Sequence, residues 1–470
     1  MNADRQEAVP AAMRAAPLSP GQERLLAAEY RESDEAWRET DGGARLRPVD
    51  IGAVMVDGPL DIGAMLHAVD ALVERQAALR TTFRFRRDAP PIQIVMPARS
   101  NRLTVHDLPG DPNGPPPLES IAAAARRVRV RPTDPDLFGV QVLRLGPERN
   151  VILLHIHHLV SDGWSIGLLY RELSALYRAA VTQQLSGLLH LTLTFSDHCI
   201  WMSKERGGQR MAKQLRYWSS ELANPSPAIV FSPGSVARSS THASVDDEPV
   251  HCPRVIVEEL RSASRNAEVP GGLAGPMLAA LGVVIHTHTG ATDLRIGTMI
   301  AGRAREDTEH VIGNFVNIVV IRFRIESEEP LLQLVSRVNA KVAAAMDHQE
   351  VPIQDVLDHL EQPVGARRTP LYQVTFALNT MKVGSLVLPG VDCADFGLSA
   401  SGESTGPRLA ATAVDLRWIF VDSAGDLDGT VTYNMDHFAK TTIRGYVQDF
   451  AEALRAIARP GRTVRQAVGG

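Results

Sequence analysis

The chain has 470 residues, enough to bury two cores of ordinary size, and 44% of them are hydrophobic. Its 54 acidic and 49 basic residues leave a net charge of −5, so no basic excess points to nucleic acid. Three widely separated cysteines, Cys199, Cys252 and Cys393, argue against a disulfide framework or a zinc site and fit a reducing compartment.

The N-terminus mixes both charges and has no apolar signal-peptide core. The most apolar run, 273–285, is shorter than the roughly 20 residues that span a bilayer, so a cytoplasmic protein is expected. Residues 1–17 carry no strand or turn signature and are expected to form a mobile tail. Ser19 is placed to cap a helix that has Pro20 at its first position and Glu23 near the capping-box position. A strand over 49–56 follows. Asp61 then opens a helix with Leu66, Val69, Leu72 and Val73 on its apolar face, running into RQAALRTTF at 75–83. A short strand at 90–95, a turn-rich loop at 109–117, and a basic helix at 121–130 come next. Arg126, Arg127 and Arg129 read there as a solvated face. Strands over 138–145 and 151–157 flank a Gly-Pro turn.

The stretch VILLHIHHLVSDGWS, residues 151–165, organises the rest of the chain. An apolar strand ends in paired histidines, an acid and a glycine, and a helix-periodic segment begins with Ile166, Leu169, Leu173, Leu176 and Tyr177. Strand alternation puts His155 and His157 on one face and Ile156 and His158 on the other, so only one of the paired histidines can face a given cavity.

Beyond residue 180, the aromatics of 195–201 and 215–218 sit at helical spacing and read as core helices, and 232–251 reads as a long loop or crossover. A buried helix over 273–286, a strand over 293–300, and a loop opened by Gly302 and Arg303 precede VIGNFVNIVVIR at 311–322, whose β-branched run predicts a buried strand. Two strands at 415–421 and 429–434 form a hairpin-like pair, and 441–457 is a terminal helix.

The string His157-His158-Leu-Val-Ser-Asp162-Gly163 resembles the HHxxxDG motif of the condensation domains of nonribosomal peptide synthetases. Other stretches are similar to further motifs of that family: LSPGQ at 18–22 to the first, RQAALRTTF to the second with Gln76 and Ala77 departing from it, and IGNFVN at 312–317 to the fifth. Residues 347–352 match the sixth motif loosely, and 367–374 the seventh. The resemblance runs from about Leu18 to Ile457. With the Met1 start and no carrier or adenylation segment after it, the chain is expected to be a free-standing condensation enzyme and a monomer.

The resemblance implies an α/β fold of two chloramphenicol acetyltransferase-like lobes, each a mixed sheet covered by helices, set in a V around an active-site tunnel. The expected lobes are 18–182 and 183–460, with 461–470 as a tail. It also implies an amine or hydroxyl acceptor attacking an acyl thioester. The donor is carried on the phosphopantetheine arm of a carrier protein; the acceptor is carrier-bound or free. No intrinsic cofactor, metal, nucleic acid or membrane is expected. An ester-forming enzyme of the same fold with a free alcohol acceptor, and a noncatalytic module that recruits a partner enzyme to carrier-bound intermediates, are the alternatives. The 312–317 string and the Gly163-Trp164-Ser165 continuation look more like condensation than epimerization.

The residue roles follow from that chemistry. His158 is the candidate catalytic group, since a neutral imidazole with an ordinary pKa of about 6.5 can take the nucleophile's proton. Backbone amides around Gly163 and Trp164 are oxyanion candidates. His157 supports the loop, and Gly163 keeps the approach to His158 open. Asp162 is expected to be held by a bidentate arginine from the other half of the chain, Arg303 first and Arg295 in reserve. Asn317 is the candidate for the acceptor side. Ser161 and Ser165 lack the context of a nucleophilic serine.

Overall fold

The computed structural model describes residues 13–30, 49–86, 89–100, 102–108, 114, 116–128, 130–224, 226–231, 245–266, 272–360, 371–379, 384–395, 414–423, 425–459 and 461–468. The first half of the chain forms β1 (Arg14–Pro17), α1 (Pro20–Tyr30), β2 (Val49–Asp57), α2 (Ile62–Arg75), β3 (Thr81–Arg86), β4 (Ala89–Val95), β5 (Leu103–Asp107), α3 (Leu118–Arg127), β6 (Phe138–Gly146), β7 (Arg149–His157), α4 (Gly163–Thr182) and α5 (Phe195–Glu205). The second half forms α6 (Gln209–Glu221), β8 (Val245–Cys252), α7 (Arg254–Asn266), α8 (Ala274–Thr289), β9 (Asp293–Ile300), β10 (Asn317–Arg324), α9 (Leu331–Asp347), α10 (Ile353–His359), β11 (Val374–Asn379), β12 (Asp392–Asp395), β13 (Leu416–Ser423), β14 (Asp426–Asn434) and α11 (Lys440–Ile457).

These elements gather into two compact units that are not continuous in sequence. Unit 1 holds Met1–Arg206, Arg303–Phe315 and Val383–Pro407; unit 2 holds Gly207–Gly302, Val316–Lys382 and Arg408–Gly470. The boundary expected near residue 182 therefore falls inside unit 1, which keeps α5 and takes back two later segments. A reading that follows the chain in order cannot see such returns, because they are set by pairing and packing at long range.

Unit 1 is built on a mixed five-stranded sheet in the order β12-β2-β7-β6-β5. Its strands alternate as the pleat demands. Ile152, Leu154 and Ile156 of β7 pack with Leu72 and Val73 of α2 and with Leu169 and Leu173 of α4, while Val151 and Leu153 face Ile121 and Ala125 of α3. A second sheet, β1-β4-β3, includes residues expected in the N-terminal tail: Arg14 to Pro17 pair with Val95 to Ile92. The run Arg-Ala-Ala-Pro has no alternation of its own to read, and the partner strand supplies its order.

Unit 2 carries a mixed six-stranded sheet, β10-β9-β11-β13-β14-β8. Helix α8 is buried from Gly275 to Ile285, which explains its all-round apolar sequence. On α11, Phe450 packs 5.0 Å from Trp418 and 5.5 Å from Phe420 of β13. Part of the loop expected over 232–251 is the edge strand β8, paired with β14. Pro249 and the acidic residues hide its alternation, and the edge position tolerates the proline. The expected C-terminal tail is also anchored: Val464 and Ala467 are buried, and the Val464 N–H donates to the Glu329 carbonyl at 3.0 Å. Residues 367–370 of the seventh-motif stretch lie outside the described residues. Among those described, no helix is long and apolar enough to cross a membrane.

Candidate active site

The site grows from the end of β7, whose pairing with β2 reaches Val49↔His157. The strand stops there. His158, expected on the strand face opposite His157, instead starts a three-residue 3-10 turn, His158–Val160, so its direction is set by the turn and not by the pleat. His157 caps that turn. It is 1% exposed, and its Nδ1 accepts the Leu159 N–H at 3.1 Å, which places the ring proton on Nε2. Burial, and then the neighbouring His158, push its pKa down to about 3, so the ring is neutral at physiological pH.

Two side-chain amides hold successive carbonyls of the turn. Asn314 Nδ2 donates to His158 O at 2.7 Å, and Gln22 Nε2 donates to Leu159 O at 2.8 Å. Gln22 is fully buried and forms the capping box of α1, its N–H reaching Ser19 Oγ at 3.1 Å and its Oε1 accepting the Ser19 N–H at 2.8 Å. The box therefore uses Gln22 where Glu23 was expected; Glu23 pairs with Arg206 at 2.7 Å.

The turn leads into Asp162, the N-cap of α4, with 1% of its side chain exposed. Its Oδ1 accepts the Ser165 N–H at 2.8 Å and lies 2.7 Å from Ser165 Oγ; its Oδ2 accepts the Phe315 N–H at 3.1 Å. Arg303 completes the set, and Arg295 does not take part: its Nη2 donates to the Ser226 carbonyl in unit 2. Arg303 belongs to unit 1 although the strand before it does not, and Gly302, at φ +65°, supplies the left-handed turn between them. The pair is not the expected two-nitrogen fork. Nη2 alone spans both oxygens, at 3.0 and 3.2 Å, while Nη1 donates to the carbonyls of Thr308 and Val311 at 2.6 and 2.7 Å. The guanidinium lies 4.0 Å over the Phe315 ring, and desolvation lowers its pKa against the opposing pull of Asp162.

Segment 303–315 is thus a strap over the motif loop. Ser165, read from sequence only as a serine without nucleophile context, is fully buried; its Oγ lies 2.9 Å from Gly313 O and accepts the Gly313 N–H at 3.1 Å. A Cβ on Gly313 would meet Phe195 at 2.2 Å, so this approach needs glycine. Gln76, a departure from the second motif, also ties the strap: its Nε2 donates to His310 O and its Oε1 accepts the Ile312 N–H, both at 2.9 Å. Its Nε2 also reaches the buried Glu172, which pairs with Arg75. Gly163 and Trp164 are the first two residues of α4, Gly163 exposed and Trp164 half-buried, with Trp164 Nε1 donating to Glu309 O at 2.9 Å.

Asn317 starts β10 in unit 2. Its amide donates to the carbonyls of Gln349 and Val351, and its Oδ1 accepts the N–H groups of Ile318 and Ile353. All of this bonding serves backbone and fixes the side chain at the start of β10. Sequence reasoning missed Gln22, Ser165 and Asn314 as holders of the loop. Gln22 stood in a recognised motif, but Asn314 occupies the open position of the fifth and carries no signal in the string.

The arrangement presents a histidine on a short turn, fixed from below by an N-capping aspartate and from the side by a strap. Among curated proteins, cyclosporin synthetase simA of Tolypocladium inflatum is 32% identical over 414 residues, covering 86% of this chain and 3% of that protein. The chain thus spans only a small part of the length of that relative. Two solved structures share the fold. The condensation domain from Monacolin K polyketide synthase MokA has a TM-score of 0.74 and 19% identity over 96% of this chain and 99% of that one. The complex of the X-domain and OxyB from teicoplanin biosynthesis has a TM-score of 0.75 and 22% identity over 96% and 95%. The family model described as Condensation domain matches residues 14–467, and the chain belongs to that family.

Proposed function

We propose that this domain joins an amine or hydroxyl acceptor to an acyl or aminoacyl group carried as a thioester on a carrier protein. The observation that carries the reading is His158, set on a turn whose carbonyls, cap and following helix are each anchored by buried groups. The acceptor's nitrogen or oxygen attacks the thioester carbonyl, and His158 takes the proton it sheds. The tetrahedral oxyanion gathers at the start of α4, where the N–H groups of Gly163 and Trp164 carry the positive end of the helix dipole. The C–S bond then breaks, the thiolate leaves and is protonated, and an amide or ester remains. Phosphopantetheine enters only as the arm of the carrier-bound substrate. Membership of a family found in peptide synthetases supports this reading.

The fold likeness to an X-domain solved with OxyB favours a second reading, in which the domain recruits a partner enzyme to a carrier-bound intermediate. A mass-spectrometric product assay with an acyl-carrier thioester and paired amine and alcohol panels separates the two. His158→Ala is expected to fold and to lose activity by about 10²- to 10⁴-fold. Equal product from wild type and His158→Ala rejects the assignment. Carrier binding without product from any donor supports recruitment.

A further inference from the structure

Asn314 is 4% exposed and sits between Gly313 and Phe315, the residues whose backbones bond Ser165 and Asp162. Its own carbonyl accepts Ser19 Oγ at 3.0 Å, which fixes the backbone from which its amide extends. Its Nδ2 meets the His158 carbonyl at 2.7 Å, whereas the turn's internal bond to that carbonyl, from the Ser161 N–H, is 3.4 Å long. A bond of 3.4 Å is at the weak end of the useful range, so the turn does not hold this peptide by itself. The other end of the amide, Oδ1, is buried with no hydrogen-bond partner among the described residues. The side chain is therefore committed to one contact.

We infer that Asn314 is a positioning residue, aiming the His158 imidazole by clamping that residue's carbonyl. A fixed carbonyl fixes ψ of His158, the first residue of the turn, and with it the plane from which the side chain departs. The inference rests on the acyl-transfer reading for its kinetic consequence and on geometry alone for its structural one.

Two substitutions separate aim from stability. Asn314→Leu keeps the number and branching of the heavy atoms, at a somewhat larger volume, and removes both the donor and the unpartnered oxygen; deleting a buried unpaired acceptor offsets the lost bond. Asn314→Asp keeps the shape but turns an oxygen toward the His158 carbonyl. Both variants are expected to lower kcat by about ten- to a hundredfold with KM within about twofold, as a misdirected catalytic group does. The Leu variant is expected to keep the wild-type melting temperature. NMR of histidine labelled at Cε1, with the His158 signal identified from His158→Ala, is expected to show that signal moved in both variants. Wild-type kcat in the folded Leu variant, or an unmoved His158 signal, overturns the inference. If wild type makes no product while the signal still moves, the acyl-transfer reading falls and the positioning role stands.

Discussion

Each unit contains an arginine–aspartate pair, with side chains buried in unit 1 and half-buried in unit 2, and the two are built for different work. In unit 2, Arg322 meets Asp293 with two nitrogens on two oxygens, Nε at 3.0 Å and Nη2 at 2.7 Å, and its remaining donors reach the carbonyls of Glu221, Ala223 and Asn224. In unit 1, Arg303 gives one nitrogen to Asp162 and spends the other on the strap. Exposure differs as well: the side chains are 15% and 9% exposed in the first pair and 2% and 1% in the second. The hydrogen bonds that Arg322 donates to Asp293 raise its pKa, while desolvation lowers that of Arg303. The unit 2 pair joins β9, β10 and the end of α6, whereas the unit 1 pair places charge in a nearly dry pocket to hold one loop. Buried ion pairs are weak sources of net stability but costly to break.

Breaking the unit 1 pair is therefore the larger perturbation. Asp162→Ala leaves the buried Arg303 charge without its carboxylate, removes the cap of α4, and frees the Phe315 N–H, and it is expected to cost about 3–5 kcal/mol in urea unfolding together with most of the activity. A loss below about 1 kcal/mol would mean that Arg303 finds other partners and that the pair is not the loop's main anchor.

The two pairs also differ in how far sequence discloses them. Asp162 stood inside a recognisable string, and Arg303 could be singled out because it follows a glycine at a strand end. The single-nitrogen geometry could not, since it depends on carbonyls of Thr308 and Val311 that any residues would supply. The helix and strand cores were legible because burial imposes periods of 3.6 and 2 on apolar side chains. The strand β1, the edge strand β8 and the return of 303–315 to unit 1 were not, because each owes its place to a distant partner. Asn317 stands in a family motif, and the string alone does not disclose that its amide bonds the backbone of Ile318, Gln349, Val351 and Ile353.

Removing the unit 2 pair tests the other side of the contrast. Asp293→Ala leaves Arg322 with three carbonyl partners and some access to water, so a loss of about 2–3 kcal/mol is expected, with kcat unchanged. A fall in kcat comparable to that of Asp162→Ala would show that both pairs serve the site.

Acid sharpens the comparison further, because unit 1 also buries histidines that must stay neutral. His157 is pushed down to about 3, and His155 and His198 to about 4, by burial first in every case; His158 adds for His157, Arg102 for His155, and Arg305 and Arg303 for His198. The unfolded chain binds protons at these rings from about pH 6.5 downward while the folded chain does not, so stability is full above that pH and falls as pH drops toward the folded values. At pH 5 each ring is expected to cost about 2 kcal/mol. The Asp293 carboxylate behaves in the opposite way: burial pulls its pKa upward, but hydrogen bonds from Arg322 and Ser226 outweigh it and hold the group below its ordinary range, so it stays ionised at pH 5. Thermal unfolding followed from pH 7 to pH 5 should therefore destabilise unit 1 ahead of unit 2. In His157→Asn, where an amide oxygen can take over the Leu159 N–H without titrating, about 2 kcal/mol of that decline should disappear. An unchanged decline in that variant would show that the ring beside His158 already accepts a proton in the folded state.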